Sequence, residues 1–488
     1  ILLLGCTPDP PAAKKKPRDG EAALVDWAPV PLPLAAADRT AMADAIRRVD
    51  AAAASRPLPT LGGGAPAPDI AIVVLDTVRA DHLGTYGYDR DTSPRLDAWA
   101  QGATVFTRAY ADGPWTLPAH ASMFTGLPAR THAARSVGLD DPRKGAPLAE
   151  SFYTVPERLR DAGYRTLGLA GNRAFLDPAY GLSQGFDAWL CETLAEDSRG
   201  LGYNAADRLL PMATTAAASA RRPTLLFLNF MDAHTPYKPR RGYVKDPSKL
   251  VRKVIPGNKG ARKVVTSLLK GGALDPRVQG SWVEAYDSEI RFLDEHLGTL
   301  FEELSAFEYV FVLADHGEYL GEHGLVEHAK DVYEPVIHVP FMVKGPGYTP
   351  GRDNRMVQSH DLAWMVLEAA GLPVPPEVER TGEFAVSELH YTLKKDLTNK
   401  DYGARFNRVR RALVAGEHKL IVGSDGSRES YDLGVDPGEL RPGAALEPPL
   451  DPLDAAWTAA HPETPLVPVG ASAPEPSDEQ LRALGYVE

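Results

Sequence analysis

Ile70-Ala71-Ile72-Val73-Val74-Leu75-Asp76 is an unbroken apolar run closed by a carboxylate. It shows no polar alternation, so it reads as a strand covered on both faces. Further runs repeat the plan. Thr166 to Ala170 leads into Gly171-Asn172, Thr224 to Met231 into Asp232 and His234, and Tyr309 to Ala314 into Asp315-His316. Val336 to Val343 ends at Lys344-Gly345-Pro346-Gly347. Helical patterns lie between them at Arg95–Gln101, Thr154–Ala162, Trp282–Leu304 and Asp361–Ala370. The alternation predicts an α/β fold, with a mostly parallel (mixed) central sheet sandwiched by helices. Asp76, Asn172, Asp232, His234, Asp315 and His316 all follow predicted strand ends. Open α/β sheets place their ligand crevice there, so these residues are expected to share a site.

Composition narrows the function classes. The 488 residues are 44% hydrophobic and 24% charged, which is ordinary globular usage and long enough for a sizeable core. A net charge of −12 argues against nucleic acid as a partner. No stretch reaches the roughly 18 apolar residues of a membrane span. The cysteines are Cys6 and Cys191, too few for a disulfide framework, and Cys191 reads as a small buried hydrophobe.

The chain divides by composition. Residues 1–5 are an apolar start, which resembles the remnant of a lipoprotein signal, and 6–68 read as a disordered Pro/Ala/Lys-rich tether. Within it, Asp38 to Ser55 is an Ala-rich helical pattern with Asp38 as its cap. Residues 69–380 are expected to form the main folded unit, 381–440 a small C-terminal α+β subdomain, and 441–488 a Pro-rich tail; the family resemblance below implies that the main unit is catalytic. Lys238 to Lys270 holds eleven basic residues against Asp246 alone, a net +10. Because it starts four residues after His234, it is expected to rim the site and attract an anionic ester, with Lys238 as a substrate contact.

Asp76, Asp315 and His316 offer two hard carboxylates and an imidazole. Such a set suits Ca²⁺, Mn²⁺, Mg²⁺ or Zn²⁺. A cation there would neutralise an ester oxyanion and lower the pKa of a coordinated hydroxyl.

Two longer segments carry a resemblance. The first joins Leu75-Asp76-Thr77-Val78-Arg79-Ala80-Asp81-His82 to Pro114-Trp115-Thr116-Leu117-Pro118-Ala119-His120. The second is Asp315-His316-Gly317-Glu318-Tyr319-Leu320-Gly321-Glu322-His323-Gly324. With Asp232-Ala233-His234-Thr235-Pro236-Tyr237 and Tyr431-Asp432-Leu433, they resemble the sulfatase family of the alkaline-phosphatase superfamily. Ile1-Leu2-Leu3-Leu4-Gly5-Cys6 resembles the end of a bacterial lipoprotein signal, with Cys6 as the lipidated residue. That resemblance implies a location in the bacterial cell envelope, joined to the membrane by a lipid anchor only.

The family resemblance implies a metal-dependent hydrolase of sulfate or related esters. Thr116 falls where the family has a Cys or Ser oxidised to formylglycine. Threonine has no route to that aldehyde, so a metal-bound Thr116 hydroxyl is expected to attack directly. Thr77 replaces a second Asp, and His120 replaces an Arg and is expected to contact the oxyanion. His234 and His328 are candidates for leaving-group or phosphoryl contacts, or for a second metal ion. Lys330 is an alternative cationic contact and Asn172 a substrate contact. His82 and His323 read as structural. Two alternatives stay open: a phosphodiesterase, phosphatase or phosphotransferase on the same fold, and an inactive surface-anchored binding protein.

Overall fold

The computed structural model describes residues 36–469, apart from 61–63, 65, 192–204, 221–222, 247–249, 251–254 and 257–259. Cys6, Lys249, Arg252, Lys253 and Lys259 lie outside the described residues.

The strands are β1 (Ile70–Leu75), β2 (Thr104–Tyr110), β3 (Arg165–Ala170), β4 (Ala188–Leu190), β5 (Thr224–Phe230) and β6 (Tyr309–Leu313). A short ribbon follows, β7 (Tyr319–Leu320) with β8 (Val326–Glu327), and then β9 (Phe341–Lys344) and β10 (Gly351–Gln358). The last four are β11 (Phe384–His390), β12 (Val409–Ala415), β13 (His418–Gly423) and β14 (Arg428–Asp432). The central sheet has eight strands in the order β10-β2-β9-β6-β1-β5-β3-β4. Only β9 runs antiparallel to its neighbours. β1, β3 and β5 are buried along their whole length, as unalternating apolar runs require. Helices flank the sheet, the longest being Pro276–Glu303. β11 to β14 form a separate antiparallel meander.

Four expectations change. Val336 to Val343 is not one strand: Glu334–Ile337 is a helical turn and the strand starts at Phe341. Pro335 sits in the first turn of that helix, and Pro340, with no N–H to donate, comes just before the strand. β10 escaped the sequence reading because it is an edge strand carrying Arg352, Asp353, Asn354 and Arg355. The helix expected within the tether at Asp38 to Ser55 is present, but it is packed on the sheet and not loose. Helix Ala36–Ala54 buries Met42, Ala45, Val49 and Ala53 on one stripe against β3 and β4. Arg56 then donates to the Arg160 and Tyr164 carbonyls and pairs with Asp187 at 2.7 Å. Asp38 lies inside the first turn of that helix, two residues after its start. Finally, the stretch after 440 contains helix Asp451–Ala460. Its Trp457 packs with Val386, Leu413 and Leu420 of the meander.

Candidate active site

The site lies at the C-terminal edge of the adjacent strands β6, β1, β5 and β3. Asp76 follows β1, Asn172 follows β3, His234 follows β5, and Asp315 and His316 follow β6. Thr116 opens helix Thr116–Thr125 and is fully buried. It is the first helical residue and makes no side-chain cap. Its Oγ1 instead accepts from Asn172 Nδ2 at 3.2 Å and faces His316 Nε2 at 3.5 Å.

Asp76, Asp315 and His316 converge without exposure to solvent. One oxygen of each carboxylate is fully engaged. Asp76 Oδ2 accepts from Asn172 Nδ2 at 3.1 Å and Asn229 Nδ2 at 3.4 Å. Asp315 Oδ1 accepts the backbone N–H of Thr77 at 3.2 Å and of His316 at 2.9 Å. The other oxygens, Asp76 Oδ1 and Asp315 Oδ2, are buried with no hydrogen-bond donor. Leaving such groups unpaired costs about 1–3 kcal/mol each or more. His316 Nδ1 donates to the Gly317 carbonyl at 2.9 Å, which leaves the Nε2 lone pair facing these oxygens. Nε2 lies 3.4 Å from Asp315 Oδ2 and 3.9 Å from Asp76 Oδ1. Two orphaned carboxylate oxygens beside an imidazole lone pair, all within 4.8 Å of one another, fit a divalent cation. Burial pushes both carboxyls up to about 7, and Asp76 is raised further by Asp315.

Thr77 holds this geometry at a conformational cost. It is a β-branched residue at φ 62°, and that turn aims its N–H at Asp315. The second carboxylate expected at such a position is thus replaced by a backbone donor.

His328 and His234 join the site as a row of rings. His316 and His328 centroids are 4.5 Å apart, and His328 and His234 are 4.8 Å apart. Burial drives both imidazoles down, His234 to about 3, so both are neutral near pH 7. His234 Nδ1 donates to the Thr235 carbonyl. His328 Nδ1 bonds Glu318 Oε1 at 2.9 Å, and Glu318 Oε2 accepts Thr235 N–H at 3.3 Å. Two left-handed residues, Glu327 (φ 62°) and Ala329 (φ 55°), flank His328 and turn it inward.

Other expected contacts take different places. His120 bonds back to the Thr116 carbonyl at 2.9 Å and packs edge-on against Phe227. Its Nδ1 lies 3.6 Å from Asp315 Oδ2, so it sits beneath the ligand set, with no bond to Thr116 Oγ1. Burial lowers it to about 3, so it brings no positive charge for an oxyanion at neutral pH. Asn172 bridges Asp76 and Thr116 while its Oδ1 accepts from Ala174 and Phe175 N–H, so its amide is a spacer. Lys330 is buried and tied to Asp396 at 2.7 Å. Lys238 is half-buried, and its backbone N–H donates to Glu289. The basic insertion is partly structural. Arg240 is fully buried between Asp232 (3.1 Å) and Glu289 (2.8 Å) and stacks on Phe292. Asp232, in turn, receives the Ala206 N–H, so it is scaffold.

The sequence reading missed Asn229, Glu318 and Lys395. Asn229 was visible as the one amide in the apolar run of β5. Glu318 stood in a quoted motif, but its partners, His328 and Thr235, are distant in sequence. Lys395 is brought in by the short helix Lys394–Leu397, and its charge adds to the lowering of His234 and His328.

A buried hydroxyl at a helix start beside a divalent-cation ligand set, on this sheet, is the site of an ester hydrolase of the alkaline-phosphatase type. The family model described as Sulfatase matches residues 68–372, and the chain belongs to the sulfatase family. It is 25% identical over 448 residues to the choline-sulfatase of Rhizobium meliloti (strain 1021), covering 80% of this chain and 85% of that one. Among solved structures it is similar to a phosphonate monoester hydrolase from Silicibacter pomeroyi, with TM-score 0.62 and 19% identity over 81% of this chain and 96% of that one. It also matches a protein in complex with its substrate D-glucosamine-2-N,6-O-disulfate, with TM-score 0.62 and 14% identity over 86% and 98%. At these identities the solved structures speak for the fold.

Proposed function

We propose that this protein hydrolyses sulfate esters of anionic molecules, with the Thr116 hydroxyl as nucleophile in place of formylglycine. The observation that carries the reading is the place of Thr116 Oγ1, fully buried between Asn172 Nδ2 and His316 Nε2. The start of helix Thr116–Thr125 turns positive peptide dipoles toward it. A divalent cation held by Asp76, Asp315 and His316, whether Ca²⁺, Mn²⁺, Zn²⁺ or Mg²⁺, supplies charge that stabilises an oxyanion and lowers a hydroxyl pKa.

The chain's own groups supply the rest. Asn172 keeps Thr116 Oγ1 and Asp76 at a fixed spacing. Attack by Oγ1 forms an O–S bond to threonine and breaks the S–O bond to the leaving alcohol. The threonine proton ends on that alcohol, carried by the neutral imidazoles of His328 and His234. Water then attacks the same sulfur, the Oγ1–S bond breaks, one water proton returns to Thr116 Oγ1, and the sulfur leaves as hydrogen sulfate with the other. Of the substrates named for its relatives, a sulfated sugar suits the cation Lys395 beside these imidazoles better than choline does.

A second reading takes phosphate esters as substrate. It is favoured by Thr116 itself, which bypasses formylglycine, and by the likeness to a phosphonate monoester hydrolase. The test compares an aryl sulfate, an aryl phosphate and an aryl phosphodiester with each metal, beside Thr116→Ser and Thr116→Ala. Sulfate turnover kept by Ser and lost in Ala supports the first reading. The same pattern on phosphoesters moves the protein to the second. Activity surviving Thr116→Ala removes Thr116 as nucleophile.

We also propose that Cys6 carries a lipid that anchors the protein in a bacterial envelope, supported by the Leu4-Gly5-Cys6 motif. Loss of detergent-phase partitioning in Cys6→Ser tests it.

A further inference from the structure

We infer that a basic pocket beside the catalytic floor holds a second anionic group on the same substrate molecule, an inference that rests on the ester-hydrolase reading above. The pocket has a volume of about 580 Å³, and its walls include Lys144, Phe175, Arg262, Lys395 and Lys400. These cations come from separate segments of a chain whose net charge is −12, so the fold has gathered positive charge here. Among the described wall residues the one acid, Asp401, is paired with Lys270 at 3.1 Å, and of the cations Lys395 is paired with Glu327 at 3.1 Å, which leaves the walls with an excess of positive charge.

The pocket is built and shares a wall with the site. Lys394 donates to the carbonyls of Gly138, Leu139 and Asp141 at 2.9, 2.9 and 2.6 Å. That clamps the 393–401 segment to the 138–141 loop, and neutral carbonyls leave the ammonium charge in place. Phe175 gives its N–H to Asn172 Oδ1 at 3.2 Å, and Asn172 holds Thr116. Its ring meets Trp115, the residue before the nucleophile, edge-on at 4.8 Å. Lys395 pairs at 3.1 Å with Glu327, the residue just before His328. An ester oxyanion at Thr116 therefore has the cationic pocket next to it. A substrate with one anionic group uses the floor alone, whereas one with a second sulfate, phosphate or carboxylate uses both.

The test uses the full chain and the surface variant Arg262→Gln/Lys400→Gln, neither residue being part of the catalytic floor. Substrates are an amino sugar with one sulfate, the same sugar with two, and one carrying a carboxylate in place of the second sulfate. Wild type is expected to favour the doubly charged sugars by about fivefold or more in kcat/KM. In the variant that preference collapses through KM at unchanged kcat, and salt erodes it in wild type. A collapse with both doubly charged sugars marks a general oxyanion pocket, and a collapse with the disulfated sugar alone marks a sulfate pocket. Equal use of all sugars by wild type, or a preference kept in the variant, overturns the inference. Calorimetry on Thr116→Ala separates the two readings. Disulfated sugar that binds Thr116→Ala, but not the same chain with Arg262→Gln/Lys400→Gln, upholds the pocket even if no ester is turned over. Binding to anionic vesicles that falls in the variant, with sugar binding unchanged, reassigns the pocket to a lipid surface.

Discussion

Glu318 Oε1 and His328 Nδ1 are joined at 2.9 Å, and the other Glu318 oxygen accepts the Thr235 N–H at 3.3 Å. One carboxyl group therefore fixes one imidazole directly and also the backbone that carries the second, because His234 Nδ1 bonds the Thr235 carbonyl. Burial and the neighbouring Glu327 push Glu318 up, while burial pushes His328 down. The pair is held by orientation, as carboxylate–imidazole pairs behind reactive groups are.

Removing Glu318 should therefore disorient His328 more than it disturbs binding. Glu318→Ala is expected to lower kcat by about 10–100-fold with KM near wild type. Glu318→Gln, whose amide oxygen still accepts from Nδ1, should recover most of the loss. A Gln variant as poor as the Ala variant would show that charge matters more than orientation.

Asn172 is the spacer between Asp76 and Thr116. Asn172→Ala takes a donor from Asp76 Oδ2 and the amide from Thr116 Oγ1, and opens a buried gap. We expect kcat to fall by about 100-fold or more, in line with loss of a single preorganised polar contact in a buried site. Circular dichroism should stay native, and a variant with wild-type kcat would refute the spacer role.

Without a metal ion, Asp76 and Asp315 titrate near about 7 against 3.8 for a free side chain. The folded state then keeps protons that the unfolded chain releases, so stability falls as pH rises from about 4 through 7. A divalent cation replaces those protons. Chelator-treated protein should melt lower at pH 7.5 than at pH 5.5. Added Mn²⁺ or Ca²⁺ should raise Tm more at pH 7.5 than at pH 5.5. Equal shifts at both values would dismiss these carboxylates as the metal ligands.

In the segment that leads into Thr116, Asp112 Oδ1 meets His360 Nδ1 at 2.6 Å. Burial alone would lower this imidazole, but the carboxylate outweighs it and holds His360 near about 9. The stabilisation is fully present below the free value of 6.5 and is lost as pH rises through about 9. At the acid end the window is bounded by Asp112, which burial holds above the usual carboxylate range. Asp112→Asn should cost about 3 kcal/mol at pH 7, the usual price of breaking a buried pair. Denaturant titrations of the variant at pH 7 and pH 10 should differ less than those of wild type.

By itself the sequence determined the sheet and the floor of the site. Continuous apolar runs such as Ile70–Leu75 and Tyr309–Leu313 read as strands covered on both faces, and each hands the residues just after it to the C-terminal edge. That local rule delivered Asp76, Asp315 and His316 together, and Thr116 came from the motif around it. It failed at β10, whose exposed arginines read as loop, and at Val336 to Val343, where part of an apolar run is a helical turn. The helix expected at Asp38 to Ser55 is present, but its packing against the sheet could not be read from its alanines. Tertiary structure alone decided which polar groups serve chemistry and which serve architecture. Asn172 and Lys330 both looked like substrate contacts, yet one is locked between Asp76 and Thr116 and the other to Asp396. A buried polar group must find partners, and those that fix Asn172 to Thr116 and Lys330 to Asp396 lie 56 and 66 residues away along the chain. Sequence spacing shows which donors and acceptors exist, and only packing decides which of them meet.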